Sequence, residues 1–173
     1  MTDKDIIMQR ADDKEFILET IKISPLLVEF ASDRLRDDKE VMMQAIKGDA
    51  GSLEFASNRL KDDKEILLCS VKQKGWVACY ASDRLKKDKD VILEAVKNDG
   101  QILYYASKEL RNDKEVVLEA IKNKPIILKY ASKNLRGDKE IAIEVLKRNK
   151  KCATYLTEEI KRDEEIQRIL KEE

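Results

Sequence analysis

An Asp-Lys pair returns along this chain at a constant step. It stands at Asp13-Lys14, Asp38-Lys39, Asp63-Lys64, Asp88-Lys89, Asp113-Lys114 and Asp138-Lys139, each 25 residues after the last, and Asp163-Glu164 keeps the step with the lysine replaced. Ala-Ser recurs in the same register at Ala31-Ser32, Ala56-Ser57, Ala81-Ser82, Ala106-Ser107 and Ala131-Ser132. An aromatic precedes each pair (Phe30, Phe55, Tyr80, Tyr105, Tyr130, and Tyr155 in a degenerate last copy), and a leucine follows three residues after each serine. No insertion breaks the register. A repeat this short cannot bury its own apolar face, so copies must stack on one another.

Each copy reads as two short helices. The Asp is an amino-terminal cap whose carboxylate can accept from free backbone donors two and three residues on. An acidic residue in the first turn and a lysine at the end (Lys22, Lys47, Lys72, Lys97, Lys122, Lys147) suit the helix dipole. Apolar positions such as Val116, Val117, Leu118, Ala120 and Ile121 cover more than half of this first helix, so it packs on two sides. A break with Pro25, Gly75, Gly100 or Pro125 follows in four copies. The pattern then predicts one continuous second helix, as from Ile126 to Arg136. Its stripe is Ile127, Leu128, Ala131 and Leu135, and the aromatic column is expected in the core. The Ala-Ser pair reads as a small-residue seam, with the Ser hydroxyl returning a bond to the carbonyl four residues earlier.

The fold expected is therefore all-α: an α-solenoid of about six 25-residue hairpin repeats over 13–37, 38–62, 63–87, 88–112, 113–137 and 138–162. Residues 1–12 read as an amino-terminal cap segment and 163–173 as a polar capping helix, because terminal repeats depart from the pattern.

The run Asp113-Lys114-Glu115-Val116-Val117-Leu118-Glu119-Ala120-Ile121-Lys122, then a loop, then Tyr130-Ala131-Ser132-Lys133-Asn134-Leu135-Arg136 resembles the tandem family called domain of unknown function 4116. The resemblance covers 12–163. Members commonly carry Asn-Gly in the loop, from which Asn123-Lys124-Pro125 and Ser24-Pro25 depart. It implies helical repeats and an intracellular setting, and it carries no activity or functional residue.

Composition narrows the function classes. Lys plus Arg and Asp plus Glu are 35 each, so the net charge is zero and there is no global pull toward nucleic acid or an anionic membrane. The longest apolar runs, such as Pro25-Leu26-Leu27-Val28, fall far short of the roughly 18 residues that span a bilayer. There is no secretion-signal layout at the amino terminus, and Cys69, Cys79 and Cys152 lack metal-like spacing, which suits a reducing cytoplasm. The chain has no His, the commonest general base. Its carboxylates belong to the repeat, and Gly48 and Gly51 bracket a turn without the Lys-Ser of a phosphate loop. No enzyme activity and no cofactor are expected. Cys152 takes the register of Ile102 and Ile127, which makes it a core residue.

Two surfaces remain as candidates. A basic ladder, Arg36, Lys61, Lys86, Arg111 and Arg136, recurs at one register and could track phosphates. The other surface is the face that does not repeat. In successive second helices it carries Leu26, Glu29, Asp33; Gly51, Glu54, Asn58; Trp76, Cys79, Asp83; Gln101, Tyr104, Lys108; Ile126, Lys129, Lys133; and Lys151, Thr154, Glu158. It runs from acidic through aromatic to basic while the scaffold stays nearly constant. The reading is a protein-interaction scaffold, as a monomer or in a larger hetero-complex, that docks another protein through Leu26, Trp76, Cys79, Asp83, Tyr104, Lys108, Ile126, Lys129 and Lys133. A nucleic-acid-binding array, disfavoured by the balanced charge, and a small inhibitor occluding a partner's active site are the alternatives.

Overall fold

The computed structural model describes residues 3–171. The outermost parts of the two expected caps, 1–2 and 172–173, lie outside the described residues. The chain is an all-α tandem repeat, and its described residues contain no strand. It divides into two compact units, Met1–Leu85 and Lys86–Glu173.

The first helix of every repeat begins where the sequence places it. Lys14–Ile23, Lys39–Gly48, Lys64–Gln73, Lys89–Asn98, Lys114–Asn123 and Lys139–Arg148 each follow a capping Asp in extended backbone. The Asp38 carboxylate accepts from Glu40 N at 2.9 Å and Val41 N at 3.2 Å, and Asp63 repeats this with Glu65 and Ile66. Each of the four central first helices fully buries four side chains, as with Val41, Met42, Ala45 and Ile46. Burial of a large aliphatic side chain stabilises by about 1.5–3 kcal/mol. That burial, rather than propensity, holds helices of this length.

The second half of the repeat is not one helix. It is a 3-10 segment (Pro25–Phe30, Ala50–Phe55, Gly75–Tyr80, Gly100–Tyr104, Pro125–Tyr130, Lys150–Tyr155) followed by a separate short turn such as Asn58–Lys61 or Lys133–Arg136. The break falls at Ala-Ser. Ala56 has ψ 151° and Ser57 ψ 159°, so neither continues a helix. The serine is accordingly not back-bonded to a carbonyl four residues earlier. Its Oγ caps the new turn, accepting from Leu60 N at 3.2 Å in the case of Ser57. The heptad-like apolar spacing concealed the break, because Ile127, Leu128, Ala131 and Leu135 are all buried as expected.

The same serine joins one repeat to the next. Its N–H donates to the carbonyl twenty-one residues earlier: Ser32 to Ala11, Ser57 to Arg36, Ser82 to Lys61, Ser107 to Lys86, Ser132 to Arg111, and Thr157 to Arg136. The hydroxyls of Ser57 and Ser82 also donate to Asp37 and Asp62, which in turn receive Arg59 Nε and Arg84 Nε at 2.9 and 3.0 Å. Asp12, Ser32 and Arg34 form the same clamp, so the end of the amino-terminal segment takes the place of a preceding repeat. The residues involved change together along the chain. Where Lys87 replaces the aspartate, Glu109 replaces the arginine, and the hydrogen bond from Ser107, helped by the nearby Lys87, lowers the Glu109 carboxyl.

The Asp-Lys pair has a second use as well. Lys14 reaches the next cap, Asp38, at 2.7 Å and Glu40 at 2.8 Å; Lys39 reaches Asp63 and Glu65, Lys89 reaches Asp113 and Glu115, and Lys114 reaches Asp138 and Glu140. Burial acts to raise the Asp38, Asp63, Asp113 and Asp138 carboxyls, but the lysine ammonium and the helix N–H donors outweigh it and hold each below its ordinary value. First helices and 3-10 segments therefore stack in order within each unit, on a core of Val28, Leu53, Leu60 and Leu67 in the first and Ile92, Leu103, Val117 and Leu128 in the second. Leu156 and Ile166 close the second unit, the latter from the terminal helix Glu164–Lys171.

Candidate functional site

A 3-10 segment has about three residues per turn, so positions three apart eclipse and point the same way. This is why the first two members of each non-repeating triplet share a face, with the third on the short turn after Ser. The exposed large apolar residues concentrate there. Leu26 is 45% exposed, Trp76 41%, Tyr104 53% and Ile126 43%, whereas their immediate neighbours Val77, Leu103 and Ile127 are buried. Asp83, Lys108, Lys129 and Lys133 are exposed, and Cys79 is half-buried.

In the first unit the face is assembled over Gly51. A methyl group at that position would lie 3.8 Å from both Leu26 Cδ2 and Trp76 Cη2, so side chains from the repeats on either side converge over it at contact distance. The Trp76 ring meets Tyr80 edge-on at 5.9 Å. Burial raises the Tyr80 phenol to about 12, helped by a hydrogen bond with Glu54, so that carboxylate of the face is already engaged.

In the second unit the rings of Tyr104 and Tyr105 stand edge-to-face at 5.0 Å, and Tyr104 meets Tyr130 at 4.8 Å. With Ile126 they wall a cleft of about 170 Å³ whose lining includes Lys124 and Lys129 and no carboxylate. Lys129 Nζ sits 4.8 Å from the centre of the Tyr130 ring.

The aromatic column is not core, contrary to its expected place. Phe30, Phe55, Tyr80 and Tyr130 are half-buried, and Tyr105 is 45% exposed. The 3-10 geometry turns that register to the edge of the stack and leaves the interior to its aliphatic neighbours. The basic ladder is not an open phosphate track either. Arg36, Lys61, Lys86, Arg111 and Arg136 are all half-buried, and Arg36, Arg111 and Arg136 have their Nε atoms enclosed. Lys61 donates to Glu54 O at 2.6 Å, and burial lowers its pKa. Cys152 is core, and burial raises its thiol away from nucleophilic character. Cys69 is half-buried in its first helix. Two exposed residues escaped the sequence reading, Ile23 (88%) and Met8. Ile23 had a signal: the other repeats carry Gly48, Gln73, Asn98, Asn123 and Arg148 at its register.

Among the described residues no helix is long and apolar enough to cross a membrane, and no group of three or more His, Cys, Asp or Glu is placed to hold a metal ion. Neither the curated proteins nor the solved structures contain a match to the chain. A family model described as "Domain of unknown function (DUF4116)" matches residues 13–61, 42–86, 63–111 and 88–136, in step with the 25-residue register. Since those matches run through most of the repeat array, the chain belongs to that family.

Proposed function

We propose that this chain is a non-enzymatic interaction scaffold, which docks another protein on the non-repeating face of its 3-10 segments. One observation carries the reading. Residues that hold the scaffold recur from copy to copy, whereas Leu26, Trp76, Tyr104 and Ile126 expose apolar surface at positions where no repeat needs it. Each such side chain, about half in water, forgoes roughly half of a full burial worth about 1.5–3 kcal/mol, and Trp and Tyr are the residues most often found as interface anchors. The half-buried ladder argues against phosphate tracking as the main role. An intracellular setting suits such a scaffold, since its cysteines are free thiols.

The test is comparative capture from the native cell with the full chain and with Trp76→Ala/Tyr104→Ala. The proposal expects a protein recovered by the wild type and lost by the double variant, with the melting curve nearly unchanged. Unfolding of the variant would place these residues in the core. Undiminished capture by a folded variant would move the contact elsewhere, and nuclease-sensitive capture would favour the nucleic-acid alternative.

A further inference from the structure

The charges lining the second unit's cleft are of one sign, Lys124 and Lys129 with no carboxylate. Elsewhere Lys14, Lys39, Lys89 and Lys114 are matched across repeats, and Lys22, Lys97 and Lys122 are matched within their helices by Glu19, Glu94 and Glu119. Among the described residues Lys108, Lys124, Lys129 and Lys133 make no ion pair, and all but Lys124 are exposed. Of the nearest acids in sequence, Asp99 accepts from Gln101 N at 3.0 Å, and Glu109 bonds with Ser107 and lies in the field of Lys87 and Lys108. An apolar cleft that no carboxylate lines thus carries two lysines in its wall, with exposed Lys108 and Lys133 on the short turns that follow Ser107 and Ser132.

We propose that this cleft captures an acidic peptide segment, one large apolar side chain seating against Tyr104 and Ile126 while flanking Asp or Glu residues meet Lys108, Lys129 and Lys133. The inference rests on the protein-docking reading above and specifies the chemistry of its partner. Size supports a single anchor, since about 170 Å³ is well below the roughly 300–1,000 Å³ of a small-molecule or cofactor site. Charge complementarity supplies the acidic character: rim lysines set orientation and association rate, while the buried anchor sets the lifetime. Single-stranded nucleic acid fits less well. Base stacking needs open ring faces, but Tyr104 is held edge-on between Tyr105 and Tyr130, and Lys129 covers the Tyr130 ring.

A displayed library of random peptides, selected on the full immobilised chain, tests this. Enriched peptides are then made synthetically with a fluorophore and titrated by anisotropy. The expected result is an aromatic or large aliphatic residue flanked by Asp and Glu. Tyr104→Ala or Ile126→Ser should weaken binding by about 30-fold or more, as for an interface anchor. Lys129→Glu/Lys133→Glu should weaken it by about tenfold at low salt and less at high salt. All these positions are exposed, and a thermal melt of each variant verifies folding. Peptides without acidic excess that still depend on Tyr104 would overturn the acidic-segment inference and leave protein docking standing. Failure to enrich any peptide, or peptides indifferent to every substitution, would remove both. Binding of an oligonucleotide that depends on Tyr104 and competes with the peptides would also overturn the inference, in favour of nucleic acid.

Discussion

Replacing Asp138 separates the two uses of the repeat's aspartate. Its Oδ1 accepts from Ile141 N at 3.1 Å, and its Oδ2 receives Lys114 Nζ at 2.9 Å. Asp138→Ala removes both. Loss of an Asp cap costs about 1 kcal/mol. The lysine contact should add little, because Lys114 keeps Glu140 at 2.8 Å and is only half-buried at the surface. Asp138→Asn retains an oxygen that can cap while discarding the charge, and Asn caps about as well as Asp. The expected ranking in urea denaturation followed by far-ultraviolet circular dichroism is therefore wild type close to Asn, with Ala lower by about 1 kcal/mol. In a chain of this size 1 kcal/mol corresponds to about 2–4 °C in Tm. If Asn costs as much as Ala, the inter-repeat ion pair and not the cap stabilises this junction. If Ala is neutral, the capping account fails.

Two further outcomes follow from the packing and the charges. Gly100→Ala would place a methyl 2.5 Å from the Ala120 carbonyl oxygen, a backbone atom that cannot swing aside, so it should cost about 1–3 kcal/mol in the same melts; Gly51→Ala, whose nearest contact is the Asp49 carboxylate at 3.0 Å, should cost less. Stability against pH should be flat between about pH 5 and 8, since the chain has no His, and should fall below about pH 4. The sign follows from carboxyls held below their ordinary value in the folded state. Their contribution is complete above the unfolded pKa and is lost as pH drops through the folded one, so a stability that rises in acid would contradict the assignment.

Much of this fold could be read directly. The capping Asp, the first helices and the buried Leu35, Leu60 and Leu85 follow from chemistry local to one repeat. The double role of Ser57 could not be read, because its partners Arg36 and Asp37 are twenty-one and twenty residues away and meet it only after stacking. A 3-10 run and an α-helix of six residues bury nearly the same positions, so Ile127 and Leu128 were placed correctly on a backbone of the wrong type. Tyr105 shows the cost of that confusion: a residue expected inside lies at the edge. The exposed Trp76 and Tyr104 were legible for the opposite reason. They break the repeat, and a position free to vary is one that the core does not constrain.

Site-directed photo-cross-linking in the native cell tests the docking claim most directly. A benzoyl-phenylalanine is placed in turn at Trp76, Tyr104 and Ile126, and at Lys47, Lys72 and Lys147 as exposed positions of a repeating register. The account predicts adducts to the same protein from positions on the non-repeating face and none above background from the lysine register. Adducts of equal yield from both sets, or adducts to nucleic acid from the face, would contradict it.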